Sequence, residues 1–167
     1  IHVFYPANAV NPATGKPVAV AMYTRSLDQG KTFSEPQQVN SDATTDASAI
    51  VHGGISQGHV FGALAVDSKG SVYTTWIDTR DMAKEGDHGK AFMAISRDDG
   101  KTFEQDKELF PADVCPCCQL TAYVDATDRL FIGSRQVADG FRDSTVAYST
   151  DGGRTFSPRT RIVGKRW

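Results

Sequence analysis

The sequence lacks any hydrophobic run long enough to cross a membrane as a helix, which needs about 18 to 20 apolar residues. It also lacks a large excess of charge, because it has 18 Lys and Arg and 20 Asp and Glu. The Lys and Arg residues are scattered and do not form the basic stripe that neutralises a phosphate backbone. The first six residues lack the basic and apolar regions of a signal peptide and an initiating Met. We therefore expect no membrane span and no nucleic-acid partner, and a true N-terminus upstream of Ile1.

Cysteine is absent except for one short cluster, Cys115-Pro116-Cys117-Cys118. Three clustered cysteines do not make the distributed disulfide framework of small secreted domains. Thiolates bind soft metals such as Cu(I) or Zn(II), whereas the C-x-x-C spacing of Cys115 and Cys118 also suits a disulfide. Three interpretations stay open: a structural or vicinal disulfide, a metal site, or buried inert thiols.

Helical periodicity is absent as well, and what recurs is an octapeptide, Ser-x-Asp-x-Gly-x-Thr-Phe. Its three copies occupy residues 26–33, 96–103 and 149–156. A second repeat, at 65–76 and 123–132, precedes the last two copies and has the pattern of a strand, a polar turn and a strand. This spacing indicates a repeating unit of about four short strands.

Each octapeptide predicts a hairpin turn. The Asp carboxylate accepts hydrogen bonds from the backbone N–H groups that follow it, Gly supplies a positive φ, and Phe anchors the returning strand in the core. We therefore assign a structural role to three Asp–Gly pairs: Asp28 and Gly30, Asp98 and Gly100, Asp151 and Gly153.

The octapeptides resemble the Asp boxes, also called bacterial neuraminidase repeats, of sialidases and related propellers. The resemblance covers most of the chain and implies an all-β fold, a β-propeller of four-stranded antiparallel blades. About three blades of a six- or seven-bladed ring are expected: blade A at about 1–45, an inter-blade loop at about 46–57, blade B at about 58–112 and blade C at about 118–167. Because three blades do not close a ring, the remaining blades are expected from a longer chain or a second subunit.

Successive turns of such a blade alternate between its two ends, so the loops can be assigned to two faces. The Asp boxes share one face, and the opposite, channel-side face receives the segments at about 40–59, 78–90, 104–118 and 135–143. The Cys, His and Arg side chains that could bind a metal or a ligand are concentrated on that face. It predicts a copper or zinc site from Cys115, Cys117, Cys118, His52 and His59, and ligand-binding roles for Asp78, Arg80 and Arg135.

We expect a secreted or periplasmic module that binds a small molecule, a glycan or a soft metal ion on the channel-side face. The resemblance implies an alternative, an exo-sialidase-like glycoside hydrolase with catalytic residues partly in other blades. Such an enzyme needs a cluster of arginines, and Arg80 and Arg135 are candidates for it. It also needs a Tyr–Glu pair, which the sequence does not identify. A third expectation is a protein-interaction propeller without a small-molecule site.

Overall fold

The computed structural model describes residues 1–42, 45–48, 58–82, 86, 88–138 and 140–162. These residues form eleven strands, and none of them belongs to a helix, so no membrane-spanning helix occurs among them. In chain order the strands are β1 (His2–Val10), β2 (Pro17–Arg25), β3 (Gln37–Gln38), β4 (His59–Val66), β5 (Val72–Asp78), β6 (Gly89–Ser96), β7 (Lys107–Val114), β8 (Thr121–Val124), β9 (Leu130–Ala138), β10 (Phe141–Ser149) and β11 (Thr160–Arg161).

The strands pair in chain order into three antiparallel units. Blade A consists of β1 to β3, blade B of β4 to β7, and blade C of β8 to β11. One bridge, between Val114 of β7 and Gln136 of β9, connects blades B and C into a continuous sheet. The all-β fold of antiparallel blades is confirmed, and blade A contributes three strands to the described part of the chain.

Strand β5 shows how the sequence builds the core, because all seven of its residues are buried. Side chains alternate across a strand, so Trp76 packs with Ala21 and Tyr23 of blade A, whereas Tyr73 packs with Leu130 of blade C. β-Branched and aromatic residues fill both faces of this strand. Blade B is therefore covered on both sides, and the two hydrophobic clusters are the seams between blades.

The three octapeptides form the predicted hairpin turns. In the first copy, Thr32 donates to the Asp28 carboxylate from its backbone N–H at 2.9 Å and from its hydroxyl at 2.6 Å, and the Ser26 hydroxyl accepts the Gly30 N–H at 2.7 Å. The same bonds recur around Asp98 and Asp151. Hydrogen bonds from Thr32 lower the pKa of Asp28 to about 2.

Two successive residues of each turn have a positive φ. The sequence pattern predicts a positive φ only for the second of them, the glycine. Gly30, Gly100 and Gly153 have φ of +89°, +77° and +80°, as expected for glycine. The residue before each of them is also left-handed, and only the third copy has a glycine there. In the other two copies Gln29 and Asp99 adopt this left-handed conformation. The octapeptide pattern does not predict it, because the residue at this position varies.

The loops lie at the two ends of the blades as their alternation predicts. Asp99 of the second box donates its N–H to Gly70 O at 3.1 Å, which places the β4–β5 turn at the Asp-box end. Strand β6 runs from Gly89 to that box, and Gly89 pairs with Val114. The cysteines follow Val114 directly, so they lie at the rim opposite the Asp boxes.

Candidate functional site

A tight turn gathers the three cysteines where the chain crosses from blade B to blade C. The Cys115 N–H donates to Arg135 O of β9 at 2.8 Å, which ties the start of the turn to blade C. The Cys118 N–H donates to Cys115 O at 3.3 Å, and Pro116 stands at the second position of this turn, where its fixed φ is favourable. The turn therefore folds Cys117 and Cys118 back toward Cys115.

The three sulfur atoms form a compact triangle. Cys115 Sγ lies 3.4 Å from Cys117 Sγ and 3.1 Å from Cys118 Sγ, and all three atoms lie within 4.8 Å of one another. All three are free thiols, with Cys115 buried and Cys117 exposed. A Zn–S bond of about 2.3 Å places sulfur atoms about 3.8 Å apart in a tetrahedron, so the distances from Cys115 Sγ to the other two sulfur atoms have to lengthen by about 0.4 and 0.7 Å to hold a metal.

Arg135 gives the sulfur site a positive neighbour. Its Nη1 donates to Cys118 Sγ at 3.6 Å. Burial by itself raises the pKa of the Cys118 thiol, but the hydrogen bond between Cys118 and Cys115 and the one that Arg135 donates outweigh burial and lower that pKa. Burial raises the pKa of Cys115 to about 12. The cluster thus combines a solvent-accessible thiol that ionises readily with a buried one that does not.

This difference predicts the order in which the thiols react. In a short pulse of iodoacetamide near neutral pH, we expect Cys118 to be alkylated well before Cys115, because the thiolate is the reactive form. The R135Q variant removes the donor to Cys118 and is expected to slow alkylation of this residue by roughly 3- to 10-fold. Peptide mass spectrometry measures both rates.

The matched control for this experiment is R142Q, which removes a neighbouring exposed arginine that makes no side-chain contact with the sulfur atoms. Its labelling rates are expected to equal those of the unmodified chain. Faster labelling of Cys115 than of Cys118 would contradict the description of the site, as would equal effects of the two arginine substitutions.

The structure places His59 in a different cluster from the cysteines. His59 is 2% exposed, its Nδ1 lies 3.0 Å from Asp78 Oδ2, and its Nε2 lies 3.0 Å from Asn40 Nδ2. His59 Nδ1 therefore lies at ion-pair distance from a carboxylate and Nε2 contacts an amide. His59 is not part of the sulfur group. We leave it out of the metal site, and His52 lies outside the described residues.

Asp78 and Arg80, predicted as ligand-binding residues, are partners of each other. Arg80 Nε donates to Asp78 Oδ1 at 2.8 Å, and Arg80 Nη1 lies 3.3 Å from Asp42 Oδ2. Burial alone raises the pKa of Asp78, but hydrogen bonds from Arg80 and His59 outweigh it and hold the pKa well below its usual range. An arginine paired with two carboxylates is poorly suited to clamp the carboxylate of a sugar.

His59, Asp78 and Arg80 form a group that we call the polar cluster, and it has two further members that the sequence did not indicate. Asn40 and Asp42 follow the two-residue strand β3 of blade A, and no motif marks them. They reach His59 and Arg80 of blade B only because the two blades stack. A small cavity of about 120 Å³ lies beside this cluster, lined in part by Arg80, His88 and Phe92.

A family model for BNR repeat-like domains matches residues 1–165, which is nearly the whole chain. The chain belongs to this family. As a BNR repeat-like domain with three Asp-box turns, it is a sialidase-like propeller in its fold. No curated protein matches its sequence.

Solved structures share this fold with the BNR repeat-like domain at low sequence identity. A protein of unknown function from Dyadobacter fermentans DSM 18053 has 17% identity and a TM-score of 0.63, over 96% of this chain and 47% of that one. Hadza microbial sialidase Hz136 has 17% identity and a TM-score of 0.57, over 93% and 34%. Trypanosoma rangeli sialidase in complex with sialic acid has 15% identity and a TM-score of 0.57, over 93% and 28%. The chain therefore spans about half or less of each of these structures.

Proposed function

We propose that this domain binds a soft metal ion, Cu(I) or Zn(II), through the thiolates of Cys115, Cys117 and Cys118. The observation that carries the proposal is the sulfur triangle, which one four-residue turn assembles within 4.8 Å. Thiolate ligands select Cu(I) and Zn(II) over hard cations such as Mg²⁺ and Ca²⁺. The function is therefore metal binding at the rim opposite the Asp boxes.

Charge and exposure also support a metal in the triangle. Three thiolates around one ion leave excess negative charge, and the Arg135 guanidinium, 3.6 Å from Cys118 Sγ, compensates part of it. Cys117 is exposed, so an ion can enter from solvent. Three sulfur ligands leave a fourth position on zinc for water or a small ligand, as in zinc sites that bind substrate.

The metal interpretation also accounts for the number of cysteines better than a disulfide does. A disulfide between Cys115 and Cys118 uses two thiols and leaves Cys117 without a role, although its sulfur lies 3.4 Å from that of Cys115. A metal ion uses all three. We also propose a secreted or periplasmic location, which the resemblance of the octapeptides to Asp boxes supports.

Metal loading of the reduced chain tests the proposal. We expect about one Zn(II) or Cu(I) per chain after anaerobic purification, loading and desalting, and almost none in the variant with all three cysteines changed to serine. Inductively coupled plasma mass spectrometry measures the content. The control is Q119A, which alters the exposed residue next to the cluster and keeps its thiols. Equal metal content in the unmodified chain and the triple variant would refute the proposal.

A further inference from the structure

The four-residue turn from Cys115 to Cys118 is held at both ends by neighbouring strands. A bridge to β9 fixes Val114, just before the turn. The Leu120 N–H donates to Phe61 O of β4 at 3.0 Å, just after the turn. Because backbone hydrogen bonds fix both ends, the sulfur atoms can change their separations by rotation of the cysteine side chains while the blades stay in place.

The turn brings Cys115 and Cys118 to the separation that a disulfide spans. The first and fourth residues of a β-turn have Cα atoms within about 7 Å of each other, and a disulfide joins Cα atoms about 4.4 to 6.8 Å apart. Cys115 Sγ and Cys118 Sγ are 3.1 Å apart. A disulfide bond of about 2.05 Å therefore requires these two atoms to approach by about 1 Å.

Cys117 is less well placed for an internal disulfide. Its sulfur lies 3.4 Å from Cys115 Sγ, further than the sulfur of Cys118 does. A disulfide between the adjacent residues Cys117 and Cys118 closes a small ring that distorts the planar peptide bond between them. The geometry of the turn therefore favours the pair Cys115 and Cys118.

The two sulfur atoms of this pair differ in their access to solvent. Cys115 is fully buried, whereas Cys118 is half-buried. The exposed side chain of Arg135 approaches Cys118 Sγ to 3.6 Å, and its positive charge favours negative charge on that sulfur. A molecule from solvent can therefore reach Cys118, with Cys115 3.1 Å away on the buried side.

We propose that Cys115 and Cys118 form a redox-active dithiol that reduces small-molecule disulfides. Cys118 is the attacking residue, because it is accessible, and Cys115 is the resolving residue. A C-x-x-C pair in one tight turn is suited to such exchange. The exchange does not use Cys117, whereas the proposed metal site uses all three sulfur atoms, so the two proposals can fail separately.

The exchange has two steps. Cys118 Sγ attacks one sulfur of the substrate disulfide, so that a mixed disulfide forms, the substrate S–S bond breaks and the first thiol leaves. Cys115 Sγ then attacks Cys118 Sγ, the mixed disulfide breaks and the second thiol leaves. The protons of the two cysteine thiols end on the two released thiols. The substrate gains the two electrons that the dithiol loses.

One equivalent of oxidised glutathione, added anaerobically to the reduced and metal-free chain, tests this inference. We expect peptide mass spectrometry to show a Cys115–Cys118 disulfide, with both halves of the substrate released as reduced glutathione. C115S lacks the resolving thiol and is expected to stop at a glutathione adduct on Cys118. The control Q119A keeps all three thiols and is expected to form the internal disulfide at the unmodified rate, within about 2-fold.

C117S separates this proposal from metal binding, because it is expected to form the Cys115–Cys118 disulfide and to lose most of the metal. Metal loading of the unmodified chain without this disulfide would overturn the exchange alone. Exchange without metal loading would overturn the metal site alone. A stable glutathione adduct on the unmodified chain, or an internal disulfide that includes Cys117, would also overturn the exchange, and neither result depends on the folding of C115S.

Discussion

Replacing Asp78 with alanine is expected to lower the free energy of unfolding by about 3 to 5 kcal/mol, the typical cost of removing one partner from a buried charge cluster. The Asp78 side chain is 1% exposed and contacts both His59 and Arg80. Its removal leaves the Arg80 charge and the His59 ring without their shared carboxylate. Urea denaturation measures the loss. D46A, at an exposed aspartate, is the control, and its effect is expected to be much smaller than that of D78A.

The pH dependence of this effect has a definite sign. The pKa of Asp78 is lower in the folded chain than its ordinary value of 3.8, so the folded state favours the ionised carboxylate. The stabilisation is therefore fully present above the ordinary pKa and is lost as the pH falls through the folded value. The difference between the unmodified chain and D78A is expected to stay constant near neutral pH and to shrink in acid. A difference below about 1 kcal/mol, or one that grows in acid, would contradict this description.

Replacing Gly100 with alanine is expected to cost about 3 kcal/mol or more, because the new Cβ would overlap the Tyr23 hydroxyl. Tyr23 is fully buried, and its hydroxyl lies 2.5 Å from His2 Nδ1, so the ring has no free space to move into. The substitution forces the second Asp box away from blade A. Urea denaturation measures the change.

Gly140 provides a matched control, because its φ is also +77° and nothing lies within 4 Å of a Cβ built there. G140A is therefore expected to cost only the left-handed backbone strain, about 1 kcal/mol. The difference between the two variants isolates the clash at the blade junction. Equal costs for G100A and G140A would show that the close packing of the box on Tyr23 contributes nothing.

The fold was predictable because the octapeptide encodes a local structure. Asp28, Asp98 and Asp151 each bond to residues at most four positions further along the chain, so the turn forms from its own sequence. Once three such hairpins are recognised, the alternation of turns assigns every loop to one rim. The position of the cysteines opposite the boxes follows from that alternation alone.

The polar cluster was not predictable, because it depends on contacts between blades. His59 and the cysteines lie on neighbouring connections between blades at one rim. The sequence analysis therefore predicted them as ligands of one metal site. In the structure His59 instead pairs with Asp78 across two adjacent strands and with Asn40 of the preceding blade. Such partners are set by strand register and blade stacking, which no local motif of this chain records.

The proposed metal site places one ion between the sulfur atoms of Cys115, Cys117 and Cys118. X-ray absorption spectroscopy at the zinc edge, on the anaerobically loaded chain, measures its ligands directly. We expect three sulfur neighbours at about 2.3 Å and one lighter neighbour at about 2.0 to 2.1 Å. A shell of nitrogen and oxygen atoms without sulfur, or with a single sulfur, would contradict this proposal.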